Sequence, residues 1–122
     1  MESILTSIKK LLGIQEEYTS FDPDIILHIN TVFGILQQLG AGPANGFSII
    51  DKTAVWDEYT TNLELGMIKT YVYLKVRLIF DPPTGGPLLD SIKNTINELE
   101  WRITLACEPK PITPVNGPGK QF

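Results

Sequence analysis

Hydrophobic side chains recur along most of this chain at the three- and four-residue spacing of amphipathic helices. Between Ile4 and Leu12 they form one stripe, and Gly13 follows it as a natural C-terminal stop. Residues 15–20 are polar and acidic, and we interpret them as a connecting loop. The pattern therefore predicts a short first helix that ends in a turn.

The second predicted helix, from about Pro23 to Leu39, has the clearest start signal in the chain. Asp22 is placed as its N-cap, and Pro23 occupies the first helical position, where a missing N–H group costs nothing. Gly40 ends the hydrophobic pattern, and the Ala-Gly-Pro-Ala-Asn-Gly sequence that follows cannot continue a helix.

Residues 46–60 fit two local structures, and the sequence leaves both open. In the first, a short strand precedes a turn at Asp51 and Lys52, and its hydrophobic residues are Phe47, Ile49 and Ile50. In the second, Thr53 caps a short helix whose hydrophobic residues are Ala54, Val55, Trp56 and Tyr59.

A third helix is predicted from Leu63 to Phe80, with Asn62 as its N-cap and a hydrophobic arc wide enough to contact several neighbours. The Asp-Pro-Pro-Thr-Gly-Gly sequence at 81–86 then breaks the chain. Pro87 begins a fourth helix, whose hydrophobic residues are separated by four and three positions in turn: Ile92, Ile96, Leu99, Ile103 and Ala106.

The periodicity stops after Cys107. Residues 108–122 hold four of the nine prolines and two of the ten glycines, which predicts an extended Pro/Gly-rich tail. At ~3.1 Å per residue such a tail spans up to ~45 Å. The predicted fold class is mostly α: a small bundle of about four helices over residues 1–107, with one possible short strand or hairpin, followed by the tail.

Length and composition fit one globular domain, since the chain has 122 residues of which 43% are hydrophobic and 20% charged. One cysteine cannot form an internal disulfide, and no hydrophobic run approaches the ~20 residues of a membrane span. The N-terminus lacks the pattern of a signal peptide.

The net charge of −4 excludes a protein whose whole surface binds nucleic acid. Residues 1–64 have a net charge of −6, whereas residues 65–107 and the tail each have +1. This asymmetry suits subunits that touch head to tail, because opposite charges then meet at each contact. Alternatively, the two halves mix on the folded surface and the asymmetry has no consequence.

Catalytic and metal-binding patterns are missing from the sequence. His28 is the only histidine and Cys107 has no partner cysteine, so a catalytic triad or a multi-ligand metal site is hard to build. The glycine pairs lack the Lys-Ser/Thr of a phosphate-binding loop. We therefore expect no enzyme, no cofactor and no metal. The three bases of the third helix, Lys69, Lys75 and Arg77, fit either a positive face toward a polyanion or an ordinary solvated surface.

Several motifs occur in one order that resembles a known family. They are residues 8–14 (IKKLLGI), 20–30 (SFDPDIILHIN), 46–49 (GFSI), 51–56 (DKTAVW), 76–83 (VRLIFDPP), 91–92 (SI) and 98–102 (ELEWR). Together, over about residues 4–107, they resemble the small helical head–tail connector (adaptor) proteins of tailed bacteriophages that infect Gram-positive bacteria.

The resemblance implies a structural virion protein rather than an enzyme. It implies a ring of subunits, dodecameric by family expectation, that binds beneath the portal protein and extends the DNA channel. A downstream stopper or tail-side neck protein would bind the other side of the ring. Genomic DNA would pass through the lumen without sequence specificity, no membrane would be involved, and the ring would be assembled in the host cytoplasm during virion assembly.

The resemblance also implies roles for particular residues. The third helix would face a neighbouring subunit or the channel, with Lys69, Tyr71, Lys75 and Arg77 as the candidates. The tail would reach toward the portal, with Ile112, Val115 and Phe122 as anchors. Two alternatives stay open: another phage neck or tail-completion protein, and a small helical binding or regulatory module of the host.

Overall fold

The computed structural model describes residues 2–60 and 64–107, which are mostly helical, as predicted. Five helices follow one another along the chain: α1 (Ile4–Leu11), α2 (Asp22–Gln38), α3 (Trp56–Tyr59), α4 (Leu65–Phe80) and α5 (Gly86–Cys107). Within these described ranges, β pairing is limited to one isolated antiparallel bridge between Ser3 and Val55. The four longer helices form the predicted bundle, and α3 is a single added turn.

Helix α4 is the central helix of the bundle. It packs against α2, α5 and α1, and α1 also packs against α2. The side chains of Ile68, Tyr71, Val72 and Val76 are therefore buried. The wide hydrophobic arc predicted for this helix is explained by these several neighbours within one subunit.

Trp56 is the largest fully buried side chain, and it joins the start of the chain to the bundle. Its indole Nε1 donates a hydrogen bond to Ser7 Oγ at 2.8 Å, and Ser7 Oγ donates to the carbonyl of Ile4 at 3.0 Å. Both polar atoms are thereby satisfied inside the core. On its other side Trp56 meets the Phe33 ring edge-on, and that ring stacks on Tyr59.

The strand suggested by Phe47, Ile49 and Ile50 does not form. Asn30 on α2 takes the place of a strand neighbour: its Nδ2 donates to the carbonyl of Ile49 at 2.9 Å, and its Oδ1 accepts from the N–H of Ile49 at 2.8 Å. One side chain thus satisfies the backbone that a second strand would pair, and the segment stays extended and single. The helical alternative is confirmed in part, as the single turn α3.

The predicted N-caps differ from the observed ones. Asp22 lies inside the first turn of α2 and is not its cap, because its carboxylate pairs with the ammonium of Lys9 at 2.9 Å. Thr53 does not cap α3, since its hydroxyl and N–H both bind the carboxylate of Asp51. The cap residue of α4 is Glu64; Asn62 and Leu63 lie outside the described residues.

Three residues of the predicted hydrophobic stripes are exposed: Leu11, Ile79 and Ala106. Each lies in the last turn of its helix. Among the described residues, no helix combines the length and hydropathy needed to cross a membrane. The tail, residues 108–122, lies outside the described part of the chain.

Candidate interaction surface

Lys69, the first of the predicted α4 surface residues, interacts within its own subunit. Its Nζ forms an ion pair with the Glu2 carboxylate at 2.7 Å and lies 5.7 Å from the centroid of the Trp56 ring. The ammonium therefore links Glu2 to α4 and has a cation–π contact with Trp56 in the core. Its charge is partly neutralised before any partner arrives.

Tyr71 lies in the core rather than on a surface, which corrects its predicted role in contacting a neighbour or the channel. Its hydroxyl donates a 2.6 Å hydrogen bond to the Glu100 carboxylate and so ties α4 to α5. Burial and this bond to a carboxylate both raise the pKa of Tyr71 above its ordinary value. Tyr71 is therefore a structural residue of the subunit.

Lys75 and Arg77 are half-buried and point to different sides of α4. Two positions along a helix correspond to a rotation of about 200°. Arg77 lies near Tyr73, with 3.4 Å between its Nη1 and the phenol oxygen. The three bases of α4 thus occupy separate environments and do not form one continuous positive stripe.

Trp101 on α5 is a candidate contact residue that the sequence did not predict. Trp101 is 65% exposed, and Leu105, one turn later, is also exposed. Trp101 follows the buried Ile92 by nine positions, which places it on the opposite side of the helix. An exposed tryptophan is typical of the centre of a protein interface. Plotting the predicted stripe of α5 on a helical wheel would have found it.

A second exposed aromatic surface lies where α2 begins and α4 ends. Tyr18 is half exposed and meets the ring of Phe21 edge-on, with 5.4 Å between centroids, and Phe21 meets Phe80 in the same way at 5.2 Å. Beside them is a shallow groove of about 400 Å³, lined by Gly13, Ile14, Gln15, Tyr18 and Phe21. We call these rings and the groove the aromatic groove.

Buried Lys9 holds the loop that presents this groove. Its ammonium donates to the carbonyls of Glu16 at 2.9 Å and Tyr18 at 2.8 Å, in addition to its ion pair with Asp22. The two hydrogen bonds to carbonyls and the ion pair together compensate for the removal of the ammonium from water. The position of Tyr18 is therefore fixed by the core side of α1.

The remaining reactive side chains have ordinary surroundings. His28 is half-buried on α2, and burial together with the Glu64 carboxylate raises the pKa of the half-buried Cys107 thiol, so that thiol stays protonated. In the part of the chain that the structure describes, no group of three or more potential ligands could hold a metal ion.

Comparison with protein families gives these surfaces a context. The model of the phage connector protein family matches residues 4–110, which is most of the chain. The chain belongs to the phage connector protein family. This membership confirms the resemblance to head–tail connectors drawn from the sequence motifs, and the family is structural rather than enzymatic. No curated protein and no solved structure matches the chain.

Proposed function

We propose that this connector forms a ring between the portal and the downstream stopper or tail-side neck protein, and that the ring extends the DNA channel. The observation that supports the proposal is the family match over residues 4–110. The helical bundle that covers these residues leaves aromatic side chains exposed at two separate places, Trp101 and Tyr18. A connector acts by binding its neighbours, and exposed aromatic residues are what such contacts require.

The ring is supported by the placement of exposed hydrophobic residues on different helices. Leu27 is exposed on α2, and Trp101 and Leu105 are exposed on α5, while α4 packs against both helices. Two different surfaces on one subunit allow a head-to-tail contact, which closes into a ring when the rotation per subunit fits. The family expectation for the number of subunits is twelve.

Within this ring, Lys75 and Arg77 stay as the proposed channel-facing or inter-subunit residues of α4. A few half-exposed bases suit DNA that slides past without sequence-specific contacts, since a continuous positive lining would hold the phosphates tightly. The tail is proposed to reach the portal through Ile112, Val115 and Phe122. The ring would lie in the neck of the virion, at the interface between head and tail.

Native mass spectrometry of the purified protein, alone and mixed with its portal, tests the proposal. We expect a ring, or a portal-dependent complex with one copy of this chain per portal subunit. Truncation after Cys107 is expected to abolish the portal complex. A monomer or dimer that ignores the portal contradicts the proposal and favours a host binding module. A complex formed with another neck protein instead identifies a different position in the neck.

Trp101→Ser tests the α5 surface in the same experiment, with Thr95→Ser as the matched control on the same helix. Trp101 contributes nothing to the buried core, so the variant should fold normally. Thr95 is exposed, and serine keeps the hydroxyl that binds the carbonyl of Ser91. We expect Trp101→Ser to weaken assembly about tenfold or more, and Thr95→Ser to leave it unchanged.

A further inference from the structure

The aromatic groove is a surface of exposed and half-buried rings beside a shallow depression. Its rings are those of Tyr18, Phe21 and Phe80, set edge to face in a row. The buried ammonium of Lys9 holds the backbone of Tyr18, so the row has a fixed shape. Rigid rows of aromatic rings beside a shallow groove are the surfaces on which proline-rich segments dock.

The same chain contains a segment with that chemistry. Residues 109–114 read Pro-Lys-Pro-Ile-Thr-Pro, so Pro111 and Pro114 form a Pro-x-x-Pro pair. Proline restricts the backbone to the polyproline conformation, which reduces the entropy lost when the segment binds. Its rings would stack on tyrosine and phenylalanine rings of the groove.

The charges of the two segments are complementary. The loop before Tyr18 contains two exposed carboxylates, Glu16 and Glu17, and the sequence between Gly13 and Phe21 contains no lysine or arginine. Lys110 lies directly before Pro111. A lysine beside the proline pair would therefore meet the acidic loop when the prolines contact the rings.

The length of the chain decides which copy supplies the segment. A side chain at Gly40 would lie 3.3 Å from the Cys107 Cβ, so α5 ends beside the C-terminal end of α2. The groove lies at the other end of α2, about 25 Å away for 17 residues at 1.5 Å each. The four residues from Cys107 to Pro111 span at most about 14 Å. Pro111 therefore cannot reach the groove of its own subunit, and both prolines of the pair can contact one groove only on another copy of the chain.

We propose that residues 109–114 of one subunit dock in the aromatic groove of a second copy of this chain. The inference rests on the proposed function, because it supplies a link between neighbours in the ring. It assigns Ile112 to the neighbouring subunit and leaves Val115 and Phe122 to reach the portal. Each subunit would then both donate a tail and accept one.

Fluorescence anisotropy tests the contact with the full-length protein and a labelled peptide of residues 108–116. We expect saturable binding that weakens roughly two- to tenfold for Tyr18→Ser, which removes one ring contact. A peptide with Pro111→Ala and Pro114→Ala should also bind more weakly, and Glu16→Lys with Glu17→Lys should reduce both affinity and salt dependence. Thr95→Ser is the control, since it alters an exposed side chain of α5 that has no proposed contact, and it should leave the affinity unchanged.

Cross-linking then identifies the copies involved. A photoreactive residue replaces Thr113, inside the docking segment, in the full chain. Unlabelled and ¹⁵N-labelled chains are mixed before illumination. We expect cross-links between light and heavy chains that join the tail to residues 13–21. Exclusively intra-chain cross-links, cross-links to the portal alone, or peptide binding that is insensitive to Tyr18→Ser would each overturn the inference.

The two proposals fail in different ways. If the portal complex forms with Tyr18→Ser as it does with the natural protein and no peptide binds, the tail contact is refuted and the connector ring stands. If the peptide binds the groove but no ring or portal complex appears in native mass spectra, the tail contact is supported and the ring proposal fails. Circular dichroism of each variant confirms that its helices are intact.

Discussion

Lys9 shows at the scale of one residue how a charge can be kept inside this small domain. Its side chain is 3% exposed, yet the ammonium contacts a carboxylate and two backbone carbonyls. Removing one partner from such a network leaves the others desolvated and unpaired, which costs more than the network itself contributes. Lys9 therefore links α1 to the loop after it and to the start of α2.

Lys9→Met is expected to lower the free energy of unfolding by about 2–4 kcal/mol. Methionine fills a similar volume, so the loss comes from Asp22 and the two carbonyls that no longer have a donor. Urea denaturation measures it, with Lys10→Met as control because Lys10 is exposed on the same helix. Equal stabilities for the two variants would contradict the role assigned to Lys9.

Two buried tyrosines should respond oppositely to removal of the hydroxyl. Tyr59 OH is buried and has no hydrogen-bond partner among the described residues, whereas Tyr71 OH binds Glu100. Tyr59→Phe is expected to leave stability unchanged or raise it by about 1 kcal/mol, and Tyr71→Phe to lower it by about 1–2 kcal/mol. Urea denaturation at pH 7 measures both, and a large loss for Tyr59→Phe would show that its hydroxyl has a partner.

Tyr59 also predicts a loss of stability at high pH. Burial raises its pKa from 10.0 to about 12, so the folded state keeps the phenol neutral while the unfolded state ionises. The stabilisation is complete below pH 10 and is lost as the pH rises toward 12, by up to about 2 kcal/mol. Tyr59→Phe should lose less stability than the natural protein between pH 9 and pH 11.5, and parallel profiles would contradict this.

At the scale of elements, one glycine inside α2 and one in the turn after it differ in whether they tolerate a side chain. Gly42, in the turn after α2, has a φ of +84°, and an added Cβ would lie 2.6 Å from the Tyr59 ring. Gly34 is inside α2 and exposed, with no atom within 4 Å of an added Cβ. The first position excludes a side chain, and the second accepts one.

Gly42→Ala is expected to destabilise the protein by about 2–4 kcal/mol, because the left-handed backbone and the packed Tyr59 ring both resist the methyl group. Gly34→Ala should stabilise it by about 1 kcal/mol, since alanine is the better helix former. Thermal unfolding of the two variants measures the difference. A stabilising Gly42→Ala would mean that the turn can rearrange away from Tyr59.

At the scale of the whole molecule, one core connects all the longer helices. α4 contacts α1, α2 and α5, and Trp56 is buried among them while Trp101 is exposed. A domain whose helices share one central neighbour is expected to unfold as a single cooperative unit. In the described part of the chain, α1, α2 and α5 each pack against α4, and isolated helices of their length are marginally stable in water.

Coincident unfolding transitions measure this cooperativity. In Trp101→Phe, fluorescence comes from Trp56 alone and reports on the core, while far-UV circular dichroism reports on the helices. We expect the two signals to give the same midpoint in urea. A helical signal that falls before the Trp56 fluorescence changes would show that α5 separates from the bundle first.

The helices themselves were predictable from sequence because their signals are local. Hydrophobic periodicity predicted the four longer helices, and the breaks at Gly13, at Gly40 and after Phe80 predicted where three of them end. The predicted bounds agree with the structure to within one or two residues, and the start of α4 is the least accurate. The ordered motifs also predicted the connector family, which the family match confirmed. The proposed roles of the tail and of the α4 bases stay predictions.

Only the tertiary structure decided which side chains a partner can meet. Sequence placed Tyr71 on a surface and left Trp101 out, but Tyr71 is buried by neighbours from distant parts of the chain. The same holds for Ile49, whose backbone pairs with a side chain 19 residues earlier. A helix forms from spacing within a few residues, whereas burial and exposure depend on which helices pack together, and that is determined by contacts across the whole fold.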